Sequence, residues 1–343
     1  MLRIAFAGFR HGHIMAAHNY IKAHPEEWRI VAACEEDAAT RKELATAGEV
    51  EITHQCYNVM LDSVEFDVLA VGDYYSKRGQ LIITALQRGK HVMADKPLCT
   101  DVKELEQIAK LAQTKKLKVG CLLDLRENGN FRRMREIVRG GMIGEVLSVS
   151  VTGQHALNLG VRPGWYFEPG KHGGTINDIG IHAFDFVPWM TGHDFAEVVA
   201  ARVWNALAPQ YPHFQTGAQY MLRLQNNAGM LADMSYFKPA QFKCSVPQYW
   251  RTTLFGSEGI AETNIAMDHV MLGRNGQSEW KKLPALPPSE DINIMHSFAR
   301  EVQGASDGLI ITTAEVLYAS RVSLLVQQAA DTNTTGVKLP ART

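Results

Sequence analysis

The chain has 343 residues, 46% of them apolar and 21% charged, and carries a formal net charge of −1. That balance describes an ordinary globular protein and gives no electrostatic reason to expect nucleic acid or an anionic membrane as partner. No apolar run approaches the length of a membrane span, and the start, MLRIAFAGFR, passes from one early Arg into a buried-strand pattern without the h-region of a signal peptide. The length predicts two domains. Five scattered cysteines (Cys34, Cys56, Cys99, Cys121 and Cys244), with no C-x-x-C pair, predict a cytoplasmic protein rather than a disulfide scaffold.

Leu2 to Ala7 reads as a buried strand ending at Gly8, followed by a helix around His13 to Ala23. Arg29 to Cys34 is a second buried strand, closed by Glu35, Glu36 and Asp37, and a polar helix follows over Ala38 to Ala47. Val64 to Val71 is the third strand. Ser76 is the predicted cap of the next helix, which ends at Gly89. Lys90 to Ala94 is a strand running into Asp95, Lys96 and Pro97. Asp101 with Glu104 has the spacing of a capping box, and Val102, Leu105, Ile108, Ala109 and Ala112 form one buried stripe behind it. Val119 to Leu123 is the last strand of the series. Strands alternating with helices predict a parallel sheet covered on both faces, with ligands taken beyond the carboxyl ends of its strands.

Those ends gather Gly8, Phe9, Arg10, Gly12 and His13, then Glu35, Asp73, Tyr74 and Tyr75, then Lys96. A dinucleotide loop of the form G-x-G-x-x-G would place glycine at 8, 10 and 13; Arg10 and His13 stand at the second and third places. Gly8 still supplies the tight turn, and Arg10 either lies against a pyrophosphate or blocks its approach. Glu35, closing the second strand, is placed to hydrogen-bond ribose hydroxyls and to repel the extra phosphate of NADP, so the expected cofactor is NAD. Glu35 and Glu36 opening a helix toward its dipole is the plainer reading. His11, His13 and His18 lack the spacing of a recognisable metal set, and no metal is expected. Lys96 either pairs with a neighbouring aspartate or faces the crevice.

The stretch Gly164 to Asp185, GWYFEPGKHGGTINDIGIHAFD, places Asp178 and His182 one helical turn apart, just after Gly173 and Gly174. Trp165 and Tyr166 suit stacking on a sugar ring or plain packing. Arg126, His155, Arg162 and His172 are further candidate substrate contacts. From Gly144 the period changes: Val146 to Val151, Val198 to Val203, Tyr220 to Leu224, Met230 to Met234 and Thr252 to Phe255 read as strands, with Gln225 to Gly229 a hairpin loop. A second domain is expected over 124–343, after a first over 1–123. One face of its sheet lacks helices to cover it, which predicts a homodimer or homotetramer. Ile292 to Val302 and Thr312 to Ala329 read as two packing helices.

Two runs carry a resemblance. Gly89-Lys90-His91-Val92-Met93-Ala94-Asp95-Lys96-Pro97 is close to the GKHVxxEKP signature of the glucose–fructose oxidoreductase / inositol dehydrogenase / MocA family, with Asp for Glu at 95. Gly173-Gly174, Asp178-Ile179-Gly180-Ile181-His182 and Asp185 resemble its GG…DxGxHxxD run. The resemblance implies a Rossmann domain, then an α+β domain on a large, open, mainly antiparallel sheet. It also implies NAD(P)-dependent oxidation or reduction of a secondary alcohol on a sugar or cyclitol, with Lys96, Asp178 and His182 lining the substrate site. Asp73-Tyr74-Tyr75 replaces the family's Pro-Asn, and Arg78 stands for the histidine that often follows.

Taking hydride from a carbon bearing a hydroxyl requires the hydroxyl proton to leave. A histidine near pKa 6.5 accepts it at neutral pH, whereas lysine would have to drop roughly 3 units, or about 4 kcal/mol. His182 is therefore read as general acid/base and Lys96 as the cation that orients the hydroxyl, with Asp178 contacting a neighbouring hydroxyl or holding His182. Two readings compete: a glycosidase or lyase working through transient oxidation, and a non-catalytic sugar- or NAD-sensing regulator, for which Arg10 and His13 speak.

Overall fold

The apolar runs of the first third close into a parallel sheet in this computed structural model, which describes residues 1–289 and 291–342. Its chain order is β1 (Leu2–Ala7), α1 (Ile14–Ala23), β2 (Trp28–Cys34), α2 (Ala38–Ala47), α3 (Tyr57–Ser63), β3 (Val68–Val71), α4 (Tyr75–Gln87), β4 (His91–Ala94), α5 (Val102–Lys115) and β5 (Val119–Cys121). The sheet order is β2-β1-β3-β4-β5, all parallel. Ile4, Ala5, Phe6 and the whole of β3 are fully buried, as strands covered on both faces must be. His54 makes a one-residue parallel bridge to Cys34 beyond β2, the remnant of a further strand on that edge. The chain order therefore reverses between β1 and β3, where open α/β sheets take their ligands.

The third strand is shorter than its apolar run, because Val64, Glu65 and Phe66 connect α3 to it. Helix α4 starts at Tyr75 with no side-chain cap, so Ser76 lies inside it; Tyr74 is the extended residue before it. Asp101 caps α5 by accepting from the Lys103 and Glu104 amides, while Glu104 turns to Gln80 instead of closing the box.

The rest of the chain forms α6 (Gly129–Arg139), β6 (Val146–Ala156), a π-helical turn (Ile176–Gly180), α7 (Ile181–Thr191), β7 (Phe195–Trp204), β8 (Gly217–Leu224), β9 (Gly229–Lys238), β10 (Tyr249–Gly256), β11 (Gly259–Thr263), β12 (His269–Arg274), β13 (Lys281–Pro284), α8 (Ile294–Val302), α9 (Thr313–Asp331) and β14 (Val337–Lys338). Nine strands join in the order β13-β12-β11-β10-β6-β9-β8-β7-β14. All pairs are antiparallel except β6 with β9. The predicted hairpin joins β8 to β9, with Asn227 at φ 69° supplying its left-handed residue.

Two compact units result. One holds Met1–Leu122, Gly170–Gly173 and Asn293–Leu317; the other holds Leu123–Pro169, Gly174–Ile292 and Tyr318–Thr343. In the second, Tyr220 meets Phe184 of α7 and Met234 lies by Ile179 of the π-turn, so α7 and that turn cover one sheet face. The opposite face exposes Met221, its cross-strand partner Leu231, and Phe255. No helix among the described residues is long and apolar enough to cross a membrane.

Candidate active site

At the carboxyl end of β1 the chain turns through Gly8 at φ +86°, where an added Cβ would stand 2.8 Å from Asp73 Cβ and from its backbone nitrogen. Glycine is the residue that both the left-handed backbone and the approach of the next strand end demand here. Gly12 has open space around its Cα, and α1 begins at Ile14, so amides at a helix start lie beside an open loop. That cradle fits the pyrophosphate of a dinucleotide. The cation Arg10 sits 3.4 Å from Asp37 and over the Tyr74 ring.

Glu35 follows β2 and is turned inward. It is fully buried, with one oxygen accepting from the Phe9 amide at 2.7 Å and the other from the Asp37 amide at 2.9 Å. Burial raises its pKa, against those two hydrogen bonds. The carboxylate braces the glycine loop; the outward acids at this strand end are Glu36, which pairs with Lys77, and Asp37, the cap of α2.

Beyond β3 and β4 a buried network follows. Asp73 accepts from Tyr57 Oη at 2.5 Å and from the Tyr74 amide, and pairs with Lys77 at 3.2 Å. Arg78 is fully buried and donates to Asp73 O, Pro97 O and Asp95 Oδ2, tying the two strand ends together. His11 Nδ1 lies 2.5 Å from Asp95 Oδ2, and Tyr75 Oη meets His11 Nε2 at 3.1 Å. Burial opposes the charge on Asp95, but His11 and Arg78 outweigh it and hold its carboxyl well below the usual range. His13 also faces Asp95, whereas His18 packs apart on Phe6 and Phe9. The acid that joins His11 and His13 lies more than eighty positions away, beyond the reach of any spacing rule. Lys96, next to Asp95, is buried and precedes a cis proline. His172 belongs to this unit, its ring 5.4 Å from that of Tyr75.

In the second unit, Asp178 lies in the π-turn and His182 in the first turn of α7, both buried. The turn is π-helical, a local widening common at functional sites. Tyr236 on β9 donates to Asp178 Oδ2. Burial, and then the charge on Asp178, keep the Tyr236 hydroxyl protonated by raising its pKa far above the ordinary value. The His182 ring lies 4.9 Å from Trp250, which also meets His155 at 5.3 Å. Trp250 holds φ 55°, a strained conformation for a bulky residue, and such strain gathers at functional sites. Tyr236 and Trp250 were invisible to motif reading, because aromatics in a strand pattern signal packing.

Several expected substrate contacts also have partners within the unit. Arg126 is buried and grips the Asp185 carboxylate with hydrogen bonds of 2.6 and 3.1 Å, so its fork is engaged inside the unit. Trp165 and Tyr166 are buried against each other. Arg162 donates to the Ala156 and Leu157 carbonyls and lies over the rings of Tyr166 and Tyr236.

Two family models match: "Oxidoreductase family, NAD-binding Rossmann fold" over residues 2–122 and "GFO/IDH/MocA C-terminal domain" over 131–262. The chain belongs to the GFO/IDH/MocA family. It is 28% identical over 186 residues to a 1,5-anhydro-D-fructose reductase of Ensifer adhaerens, covering 51% of this chain and 55% of that one. The chain spans about half the length of the curated relatives it matches first. An oxidoreductase structure from Thermotoga maritima superposes with TM-score 0.84 at 23% identity, covering 98% of this chain and 100% of that one. Levoglucosan dehydrogenase in complex with NADH gives TM-score 0.81 at 17% identity, covering 99% of each chain. At those identities the structures speak for the fold: a GFO/IDH/MocA chain with an NAD-binding Rossmann unit and a large, mainly antiparallel sheet.

Proposed function

We propose that this protein is an NAD-dependent dehydrogenase or reductase acting on a secondary alcohol of a sugar, sugar derivative or cyclitol. The observation that carries this reading is the buried set around His182: an imidazole against a strained Trp250, on the same segment as a carboxylate fastened by Tyr236. A merely structural helix gains nothing from a buried acid and a strained tryptophan. The names of the anhydro-sugar reductase and of levoglucosan dehydrogenase support the substrate class.

When bound, the nicotinamide ring supplies the hydride acceptor or donor. Gly8, Phe9, Arg10, Gly12 and His13 would hold the dinucleotide, with Asp73 and Tyr74 at the neighbouring strand end. His182 accepts the hydroxyl proton on oxidation and returns it on reduction; a positioned group of this kind contributes about 10² to 10⁴. Lys96 orients the reacting hydroxyl and stabilises developing alkoxide. Asp178, fixed by Tyr236, accepts from an adjacent hydroxyl. NAD over NADP is retained, because Glu35, Glu36 and Asp37 gather three carboxylates at the end of β2, which disfavours a second phosphate there. Five scattered cysteines with no C-x-x-C pair suit a cytoplasmic protein.

The test is fluorescence titration with NADH and NADPH, followed by NADH production on a panel of cyclitols and sugars. His182→Ala should lower turnover about 10²- to 10⁴-fold with NADH affinity nearly intact. Unchanged turnover would remove His182 from the chemistry. Absence of binding by either cofactor would favour a sensing role.

On the exposed face that also bears Phe255, Met221 and Leu231 line a trough of about 440 Å³ with Ala200 and Ala201. Apolar residues grouped on one face mark an association site. We infer a homodimer or homotetramer through it; sedimentation showing monomer alone at micromolar protein would refute this.

A further inference from the structure

We propose that His11, His13 and Asp95 form a binding site for a divalent transition-metal ion of the zinc class, with a coordination position left open. One ligand atom from each of the three residues falls within 4.8 Å of the other two. The pairing of two imidazoles with one carboxylate suits zinc, cobalt or nickel, and is too poor in oxygen for calcium or magnesium.

The second observation is Asp95 itself. Its side chain is wholly buried, and its Oδ1 has no hydrogen-bond partner among the described residues. A buried carboxylate oxygen without a partner is rare, and calls for an ion or a water. Oδ1 faces His13 Nδ1 at 3.7 Å. Two donors each about 2.1 Å from a tetrahedral ion stand about 3.4 Å apart, so that gap has the width an ion needs. Oδ2 is held on its other side by Arg78 at 3.2 Å, which leaves Oδ1 as the ligand.

His11 is built as a ligand with outer support. Its Nε2 meets Tyr75 Oη at 3.1 Å, leaving Nδ1 toward Asp95. Metal-binding histidines are ordinarily fixed in this way through the second ring nitrogen. Coordination requires Nδ1 to exchange its 2.5 Å contact with Oδ2 for the ion, a small turn of the ring. His13 is the exposed member, and solvent on its side supplies the open position. Arg78, and Lys96 next in the chain, oppose a cation, so the affinity falls below that of a closed structural site.

The experiment uses the full chain after dialysis against a chelator. Cobalt(II) is titrated in while visible absorption is followed, and zinc(II) is titrated by calorimetry. The wild type should take up one equivalent saturably at micromolar ion. His13→Ala, at an exposed position, should weaken binding at least about tenfold, and Tyr75→Phe about 10- to 100-fold, while His24→Ala at the end of α1 leaves it unchanged. Circular dichroism checks that each variant is folded. No saturable uptake, or uptake unaltered in a folded His13→Ala, would overturn the site and leave a water on Oδ1. NADH titration of the metal-free wild type tests the cofactor reading by itself, so failure of that reading is distinguishable from failure of the metal site.

Discussion

Removing one oxygen from Tyr236 tests the substrate unit most directly. Tyr236 and Asp178 are both buried, and the phenol donates to the carboxylate in a place where no solvent can replace it. A hydrogen bond to a charged group contributes about 1.5–3 kcal/mol, and its loss leaves the carboxylate facing a cavity the size of one oxygen. With roughly 2–4 °C per kcal/mol for a unit of 150–250 residues, Tyr236→Phe should lower Tm by roughly 3–12 °C. The same energy acts on the proton affinity of Asp178. The carboxyl in the variant should hold its proton more tightly than in the wild type. The sign is fixed: removing a donor to the charged form favours the neutral form, so the acidic limb of the kcat/KM profile moves to higher pH. The assay is thermal unfolding followed by circular dichroism, then kcat/KM from pH 4 to 9 on the best substrate of the sugar panel. An unchanged Tm together with an unchanged acidic limb would refute the reasoning. A lower Tm with an unshifted limb would confine Tyr236 to packing.

Arg126→Ala should leave Asp185 as an uncompensated buried charge, at a cost of about 3–5 kcal/mol, visible as lost soluble yield and a lower Tm. A raised KM at unchanged Tm would instead restore Arg126 as a substrate contact. Glu35→Gln should weaken NADH and NADPH binding alike, because the amide group repels one of the two backbone amides that Glu35 now receives. A switch of preference toward NADPH would show that Glu35 reads the ribose after all.

The alternation of apolar runs with helical stripes announced the parallel sheet, because β1 and β3 are buried on both faces and show it as unbroken hydrophobicity. The strands of the second sheet were legible in their middles and too short at their ends; β6 runs on to Ala156 through Thr152, Gln154 and His155, polar residues without an alternating signal. Helix α6 and the small strands β11 to β13 left no pattern strong enough to read. Motif spacing singles out Lys96, Asp178 and His182. It could not find Tyr236, Trp250 or the link from Asp95 to His11, which depend on chain segments brought together only by the fold. Glu35 shows the same limit: position at a strand end indicates which crevice a carboxylate is near, not that the Phe9 and Asp37 amides also hold it.

The departures from the family pattern decide between a working enzyme and a regulator that has let its site drift. Asp95 is one methylene shorter than the glutamate of the signature, and Arg78 reaches farther than the histidine it replaces. The pair still closes, at 3.2 Å, with both partners fully buried. Tyr75, in place of asparagine, meets the nitrogen of His11 that is turned away from Asp95. Asp73 likewise receives Tyr57, the Tyr74 amide and Lys77. Unconnected losses would leave buried charges without partners, each costing several kcal/mol. Here the altered residues at 73, 75, 78 and 95 interlock, and an arginine keeps Asp95 ionised at any pH where a histidine would titrate. The loop has been rebuilt around a different charge pair, and a rebuilt strand end beside a buried Lys96 argues for chemistry retained under new support.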